Sequence, residues 1–128
     1  MHIDSIDHLV LTVANIHATV FFYTRALAME EVISSDGRVA LHFGGQKINL
    51  HPADETIHPR AGNPQPGSAD LCFLTGTPLD AVIRHLQNQG VQIIDGPVRR
   101  RGAAGPLSSI YIRDPDDNLI EVANLRSE

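Results

Sequence analysis

The sequence contains no tryptophan, and its aromatic residues are only two tyrosines and four phenylalanines. Side chains that could stack on bases are therefore scarce. The net charge of -5 also disfavours nucleic acid or an anionic membrane as a partner. Cys72 is the single cysteine, which excludes an internal disulfide framework.

Long hydrophobic runs are also absent, because the apolar stretches are only as long as strands, so we expect no segment to cross a bilayer. The chain starts with Met-His-Ile-Asp and has no basic segment followed by an apolar core. We therefore expect no secretory signal and a cytoplasmic protein. What the chain does have is an ordinary globular composition over 128 residues, 42% hydrophobic and 20% charged, together with seven histidines. The histidines direct attention to metal chemistry.

Hydrophobic patterning predicts a strand, a helix and three strands, and then the same order again. The predicted strands are 6–13, 30–34, 38–43, 46–51, 68–75, 91–94, 109–113 and 119–123. Asn15 and Thr77 are the predicted caps of the two helices, and 96–106 is a predicted loop. Residues 52–67 contain four prolines and two glycines, which is typical of an ordered linker. The first module is thus 4–51 and the second 68–124.

This order predicts an α+β fold of tandem βαβββ modules, with an eight-stranded mixed sheet curved around a cleft. When the halves are overlaid, the first strands place His8 opposite Asp70. The last strands place His51 opposite Glu121. Because strand side chains alternate between faces, all four residues are expected to point into the same cleft.

Two imidazoles and one or two carboxylates are ligands that suit a divalent metal ion, although the sequence contains no HExxH or CxxC motif. Glu121 lies within the apolar segment Leu-Ile-Glu-Val-Ala, where an ionised carboxylate needs a partner. A metal ion would provide one. A salt bridge to Arg113 or Arg126 is the alternative.

Two segments resemble a known family. The sequences IDHLVLTV at 6–13 and DPDDNLIEV at 114–122 resemble the first and last strands of the vicinal oxygen chelate superfamily. That superfamily includes glyoxalase I, fosfomycin-resistance proteins, extradiol dioxygenases and methylmalonyl-CoA epimerase. The segments KINLH at 47–51 and GPLSSIY at 105–111 are similar to the group of glyoxalase-domain-containing protein 5 and its bacterial relatives.

The resemblance implies paired βαβββ modules, a homodimer, a small-molecule substrate and a divalent metal ion (Fe, Mn, Ni, Zn or Co). It places His8, His51 and Glu121 at metal-ligand positions. Asp70 stands where the family usually has histidine, and it is expected to be a fourth ligand or a base. The fold hosts several chemistries, so the reaction does not follow from the family.

A glyoxalase-type lyase or isomerase, in which Glu121 or Asp70 moves a proton between adjacent carbons, is the expected activity. A ring-cleaving extradiol dioxygenase is the alternative, because Tyr111 precedes Glu121 by ten residues as in that enzyme signature. The histidine that the signature requires before the tyrosine is missing. Tyr111 is otherwise expected to be a half-buried strand residue with a hydrogen-bonded hydroxyl. A protein that only sequesters a small molecule is a further alternative.

The only basic run is Arg99-Arg100-Arg101. It is expected either to hold a carboxylate or phosphate of the substrate or to be a solvated loop. From this run Arg101 is the predicted substrate contact. Asn49, on the predicted face of His51, is the second.

Overall fold

Two βαβββ units make up the chain, in a computed structural model that describes residues 1–127. The elements are β1 (His8–Val13), α1 (Ile16–Ala26), β2 (Glu30–Ile33), β3 (Val39–Phe43), β4 (Gln46–Pro52), β5 (Asp70–Leu74), α2 (Leu79–Asn88), β6 (Asp95–Gly102), β7 (Gly105–Arg113) and β8 (Leu119–Leu125). The predicted fold class is confirmed, and the eight strands form two four-stranded mixed sheets. The units are Met1–Gly67 and Ser68–Glu128.

In the first unit, the strands lie in the order β1-β4-β3-β2, with β1 parallel to β4 and the other pairs antiparallel. Apolar side chains from one face of this sheet are buried together with the inner side of α1. They are Leu11, Val13, Leu41, Ile48 and Leu50 from the sheet and Phe22, Tyr23 and Ala26 from the helix. The helix begins as predicted, because Asn15 Oδ1 accepts a hydrogen bond from the Ala18 amide at 2.9 Å.

The second unit repeats this arrangement in the order β5-β8-β7-β6, with β5 parallel to β8. The buried face carries Ile110, Ile112, Ile120 and Val122, and α2 adds Val82 and Leu86 to this core. In each unit the helix therefore takes one face of the sheet. His8, Asn49 and His51 in the first unit, and Asp70 and Glu121 in the second, lie on the other face.

The start of α2 differs from the prediction. Pro78, not Thr77, is the N-cap residue, and its side chain caps nothing. Asn124 on β8 caps the helix instead, because its Oδ1 accepts a hydrogen bond from the Leu79 amide at 2.8 Å. Its Nδ2 also donates to the carbonyls of Thr75 and Thr77, each at 2.9 Å. The free amide at the helix start is thus satisfied from a strand 45 residues away in sequence.

The prediction of a strand at 91–94 followed by a loop at 96–106 was wrong. The strand is β6, Asp95–Gly102, and it contains the arginine run. β6 pairs with β7 on only one side, and a register irregularity lies between Asp95 and Val98 where the Gly96-Pro97 pair falls. Edge strands tolerate proline, bulges and charged side chains, which is why the sequence of this strand resembles a loop.

The loop before β8 is held by a buried pair of polar side chains. Asp114 Oδ1 accepts the amides of Asp116 and Asn118 at 2.9 and 3.0 Å, and Asp114 Oδ2 accepts the Asn118 side-chain amide at 2.8 Å. Asn118 Oδ1 in turn accepts the Ala69 amide at 2.8 Å, just ahead of β5. This network fastens the starts of β5 and β8 to each other.

Candidate functional site

The open face of the first sheet, opposite α1, carries polar side chains on β1 and β4. His8 pairs with Lys47, Val10 with Asn49, and Thr12 with His51. A groove of about 350 Å³ runs along this face, and its lining includes His42, Lys47, Asn49 and His51. His8, Asn49 and His51 therefore share one face of the sheet within this unit.

His8 is oriented by its neighbour in sequence. Its Nδ1 lies 2.8 Å from Asp7 Oδ1, and 44% of its side chain is exposed. If the ring proton is on Nδ1, it is donated to the carboxylate and Nε2 is left as a lone-pair donor. A carboxylate holding the second nitrogen is the usual support of a histidine that binds a metal ion.

His8 and His51 are not brought together. Lys47 is the partner of His8 across the strands, and His51 lies four residues further along β4. At about 3.3 Å per residue, this offset is about 13 Å along the strand, in addition to the spacing between strands. Metal–nitrogen bonds are about 2.1 Å long, so the two side chains would have to span nearly all of this offset to reach one ion, and the register does not favour it. The binding of one ion by both His8 and His51 stays a prediction.

The open face of the second sheet carries Asp70 and Cys72 on β5 and Glu121 on β8. Cys72 pairs with Glu121, and Asp70 lies two residues before Cys72 on the same face. The strand geometry puts the Asp70 and Glu121 backbones about 8 Å apart. By the same register, Asn49 in the first unit, rather than His51, occupies the position equivalent to Glu121.

Glu121 has an unusual environment for a carboxylate. Its Oε2 is buried and has no hydrogen-bond partner. The alternative of a salt bridge is not observed, because no ion pair within residues 1–127 involves Glu121. Arg113 instead donates to the Asp117 carbonyl at 3.2 Å. A buried carboxylate oxygen left without a partner is costly for the metal-free fold, and such an atom is typical of a binding or catalytic group.

The Cys72 thiol is affected by the two carboxylates. Burial, followed by the charge of Glu121, a hydrogen bond to Glu121 and the charge of Asp70, raises its pKa to about 11. The neutral thiol is therefore the form present at neutral pH, and Cys72 is not an activated nucleophile.

This raised pKa predicts slow alkylation of Cys72 in the metal-free protein. At pH 8 a thiol of pKa about 11 is about 0.1% ionised, against about 10% at the ordinary value of 9.0. Iodoacetamide should thus react at least about 10-fold more slowly than in the urea-unfolded chain, and the rate should rise with pH up to about 11. In Glu121→Gln the native rate should increase. Equal rates in native and unfolded protein would contradict this account.

Tyr111 lies directly opposite Glu121 across β7 and β8. It is half-buried, and its hydroxyl accepts a hydrogen bond from Arg100 Nε at 3.0 Å, as expected for a hydrogen-bonded strand tyrosine. The Arg100 guanidinium also lies 5.5 Å from the centre of the tyrosine ring. Arg100 is thus the arginine on the face of Glu121. Arg101 pairs with Pro106 and by alternation lies on the opposite face.

Arg100 was not among the predicted site residues, because the arginine run resembles a loop in the sequence. Strand alternation from Tyr111 was the signal that could have identified it. Within residues 1–127, no three His, Cys, Asp or Glu side chains are clustered so that they could hold a metal ion. In the same part of the chain, no helix is both long enough and apolar enough to cross a membrane.

Comparison with known families gives one match that spans nearly the whole chain. Residues 5–122 match the model of the Glyoxalase/Bleomycin resistance protein/Dioxygenase superfamily. A virulence protein of Salmonella typhimurium is 52% identical over 96% of this chain and 85% of its own length. A glyoxalase domain-containing protein of Mycosarcoma maydis is 49% identical over 97% of this chain and 70% of its own length. An integron cassette protein from V. cholerae is 52% identical, with a TM-score of 0.97 and 98% of each chain covered.

More distant relatives have names that describe different activities. The metallothiol transferase FosB of Shouchella clausii is 27% identical over 94% of this chain and 80% of its own length. The fosfomycin resistance protein FosX of Listeria monocytogenes, solved with Mn(II) and sulfate, is 22% identical with a TM-score of 0.68, covering 98% of this chain and 93% of its own. An antibiotic-binding protein from a Streptomyces species is 20% identical with a TM-score of 0.76, covering 98% of this chain and 99% of its own. The last two show the shared fold alone.

Proposed function

The chain belongs to the Glyoxalase/Bleomycin resistance protein/Dioxygenase superfamily, and from that membership we propose that it is a divalent-metal-dependent enzyme of the glyoxalase type. Such an enzyme is a lyase or isomerase acting on a small substrate with adjacent oxygen atoms. The observation that carries the proposal is the buried, unpartnered Oε2 of Glu121 on the open face of the second sheet. If Glu121 had a purely structural role, its Oε2 would be expected to have a hydrogen-bond partner, as most buried polar atoms do.

On the family resemblance we propose His8, Asp70 and Glu121 as the ligands, although the described residues do not form a ready-made cluster of three such side chains. One imidazole and two carboxylates suit Mn, Fe, Co, Ni or Zn, and the donor set alone does not select among these metals. The Asp7 contact fixes the His8 ring, and the diagonal positions of Asp70 and Glu121 suit two carboxylates on one ion. His51 is assigned instead to the groove of the first sheet, beside Asn49. The fosfomycin resistance protein solved with Mn(II) has the same fold, which agrees with a metal in this role.

A divalent ion bound there would act as a Lewis acid that polarises a substrate oxygen. The protein's own contribution is proton transfer and orientation. To Glu121 we assign the transfer of a proton from one substrate carbon to the neighbouring carbon, and the solvent-exposed Asp70 is the second candidate base. Tyr111, held by Arg100, limits the space beside the carboxylate. Asn49 offers an amide donor to a substrate oxygen.

The test is elemental analysis of the purified chain and of two variants after incubation with each of the five metals. The parent should retain about one equivalent of metal, His8→Ala should lose it, and His51→Ala should keep it, because the register separates His51 from His8. His85→Ala, on the exposed side of α2, is the matched control and should behave like the parent.

Two results would overturn the proposal. A parent that retains none of the five metals would leave a protein that sequesters a small molecule, an activity named for one neighbour of the same fold. Metal loss in His51→Ala with retention in His8→Ala would show that the ligand assignment is reversed.

A further inference from the structure

We propose that a second site, at the far end of the β6–β7 hairpin, binds the phosphate group of a small molecule. A pocket of about 650 Å³ opens there, within the second unit. Its lining is rich in arginine and consists of Arg99, Arg100, Arg101, Pro106, Leu107, Arg126 and Ser127. None of these residues belongs to the proposed ligand set.

The strand register explains how the arginines meet. Arg101 pairs with Pro106 across β6 and β7, and the Arg126 amide donates to the Pro106 carbonyl at 2.9 Å from the other side. Arg101 and Arg126 are therefore in one row across the sheet, about 10 Å apart with Pro106 between them. Arg99 lies two residues from Arg101 on the same face, about 7 Å away.

The charges in this pocket are not balanced. The chain has 10 lysines and arginines against 15 acidic residues, and four of those basic side chains line this pocket. Arg100 reaches Asp95 at 3.9 Å and is also engaged with Tyr111. For the other three arginines, no carboxylate within residues 1–127 is close enough to form an ion pair. Arg126 is even half-buried. Four arginines that line one pocket with few carboxylates near them create a positive potential, which favours an anion there.

A phosphate dianion fits this arrangement better than a single carboxylate. Its tetrahedral oxygens can accept bidentate hydrogen bonds from guanidinium groups that approach from different strands. Pro106 and Leu107 supply an apolar wall for a small organic portion. Arg99, Arg101 and Arg126 lie on the face opposite Glu121. Pro106 is also five residues along β7 from Tyr111, the partner of Glu121, which is about 17 Å, so this site is separate from the proposed catalytic site.

The test is an NMR titration of the ¹⁵N-labelled chain with inorganic phosphate at constant ionic strength and about pH 8, following the arginine Nε–H signals. We expect saturable binding with a Kd on the order of 1 mM or tighter. The double variant Arg101→Gln/Arg126→Gln should raise that Kd about 10-fold or more. The charge-matched control Arg60→Gln/Arg84→Gln, at exposed positions outside the pocket, should leave it within about twofold. The single variant Arg101→Gln, at an exposed position, serves if the double variant does not fold.

Further titrations distinguish a phosphate site from a general charge effect and from a nucleic-acid contact. Glu121→Gln should bind phosphate like the parent, so the result is independent of the proposed metal chemistry. Succinate, also a dianion, should bind more weakly, and equal or tighter succinate binding would overturn the phosphate assignment. If phosphate binding were weakened equally in both double variants, the binding would depend on the overall charge of the protein and not on this pocket, and the proposal would be overturned. A short oligonucleotide that binds more tightly than phosphate through the same arginines would make the pocket a nucleic-acid contact.

Discussion

Replacing Glu121 by glutamine should raise the Kd for the bound metal more than about 100-fold, since removing even an outer partner of a metal ligand costs 10- to 100-fold. The same variant should lower kcat by about 10³-fold, because an amide cannot accept the proton that the carboxylate takes. Metal affinity is measured by competition with a chromophoric chelator. Turnover is measured with the hemithioacetal of methylglyoxal and glutathione, the first substrate to test for a glyoxalase-type enzyme.

The metal-free variant should at the same time be more stable than the metal-free parent, by about 1 kcal/mol, because an amide is less costly to bury than an unpaired carboxylate. Weaker metal binding together with a more stable metal-free protein is expected for a functional side chain, whereas losing a structural side chain would lower the stability. Glu30→Gln, at an exposed position on the edge strand β2, is the matched control and should change neither property. An unchanged metal affinity in Glu121→Gln would show that the carboxylate is not a ligand.

Replacing Asn118 by alanine should lower the free energy of unfolding by about 3–4 kcal/mol. The substitution removes the acceptor of the Ala69 amide and the donor to Asp114 Oδ2, each at 2.8 Å. It leaves Asp114, whose side chain belongs to a residue only 4% exposed, with fewer hydrogen bonds in a buried position. The measurement is urea unfolding followed by circular dichroism, since the chain has no tryptophan.

Asn88→Ala, an exposed position at the end of α2, is the control for the loss of an asparagine side chain, and it should cost less than about 0.5 kcal/mol. Asn118→Asp should also be strongly destabilising, because it keeps the acceptor for Ala69 but places a second carboxylate against Asp114. A loss below about 1 kcal/mol in Asn118→Ala would mean that the two strands are held together by the β-ladder alone.

The alternation of apolar and polar residues was enough to predict most of the fold. Ile48 and Leu50 alternate with Asn49 and His51 along β4 and are buried under α1, and the predicted cap Asn15 begins that helix. The β6 strand could not be predicted in the same way. Its arginines, glycine and proline are tolerated because it is an edge strand paired with β7. That position in the sheet depends on tertiary structure and is not visible in the local sequence.

The candidate site was predicted as a list of residues but not as a geometry. The sequence overlay matched His51 with Glu121 because both are polar residues near the ends of corresponding strands. The observed strand registers shift this correspondence by two residues, so that Asn49 is the residue equivalent to Glu121. A register is set by which side chains pack on both sides of a sheet, so the position of a polar residue within a strand does not determine it.

The network around Asn118 and the cap from Asn124 together make β8 a strand fastened at both ends, to β5 at its start and to α2 near its finish. Glu121 lies between these two anchors. A carboxylate on such a segment has little freedom to move toward ions of different radius. A metal ion held there would then be selected by its ionic radius, because only ions whose metal–oxygen distance matches the fixed position of the carboxylate would bind well.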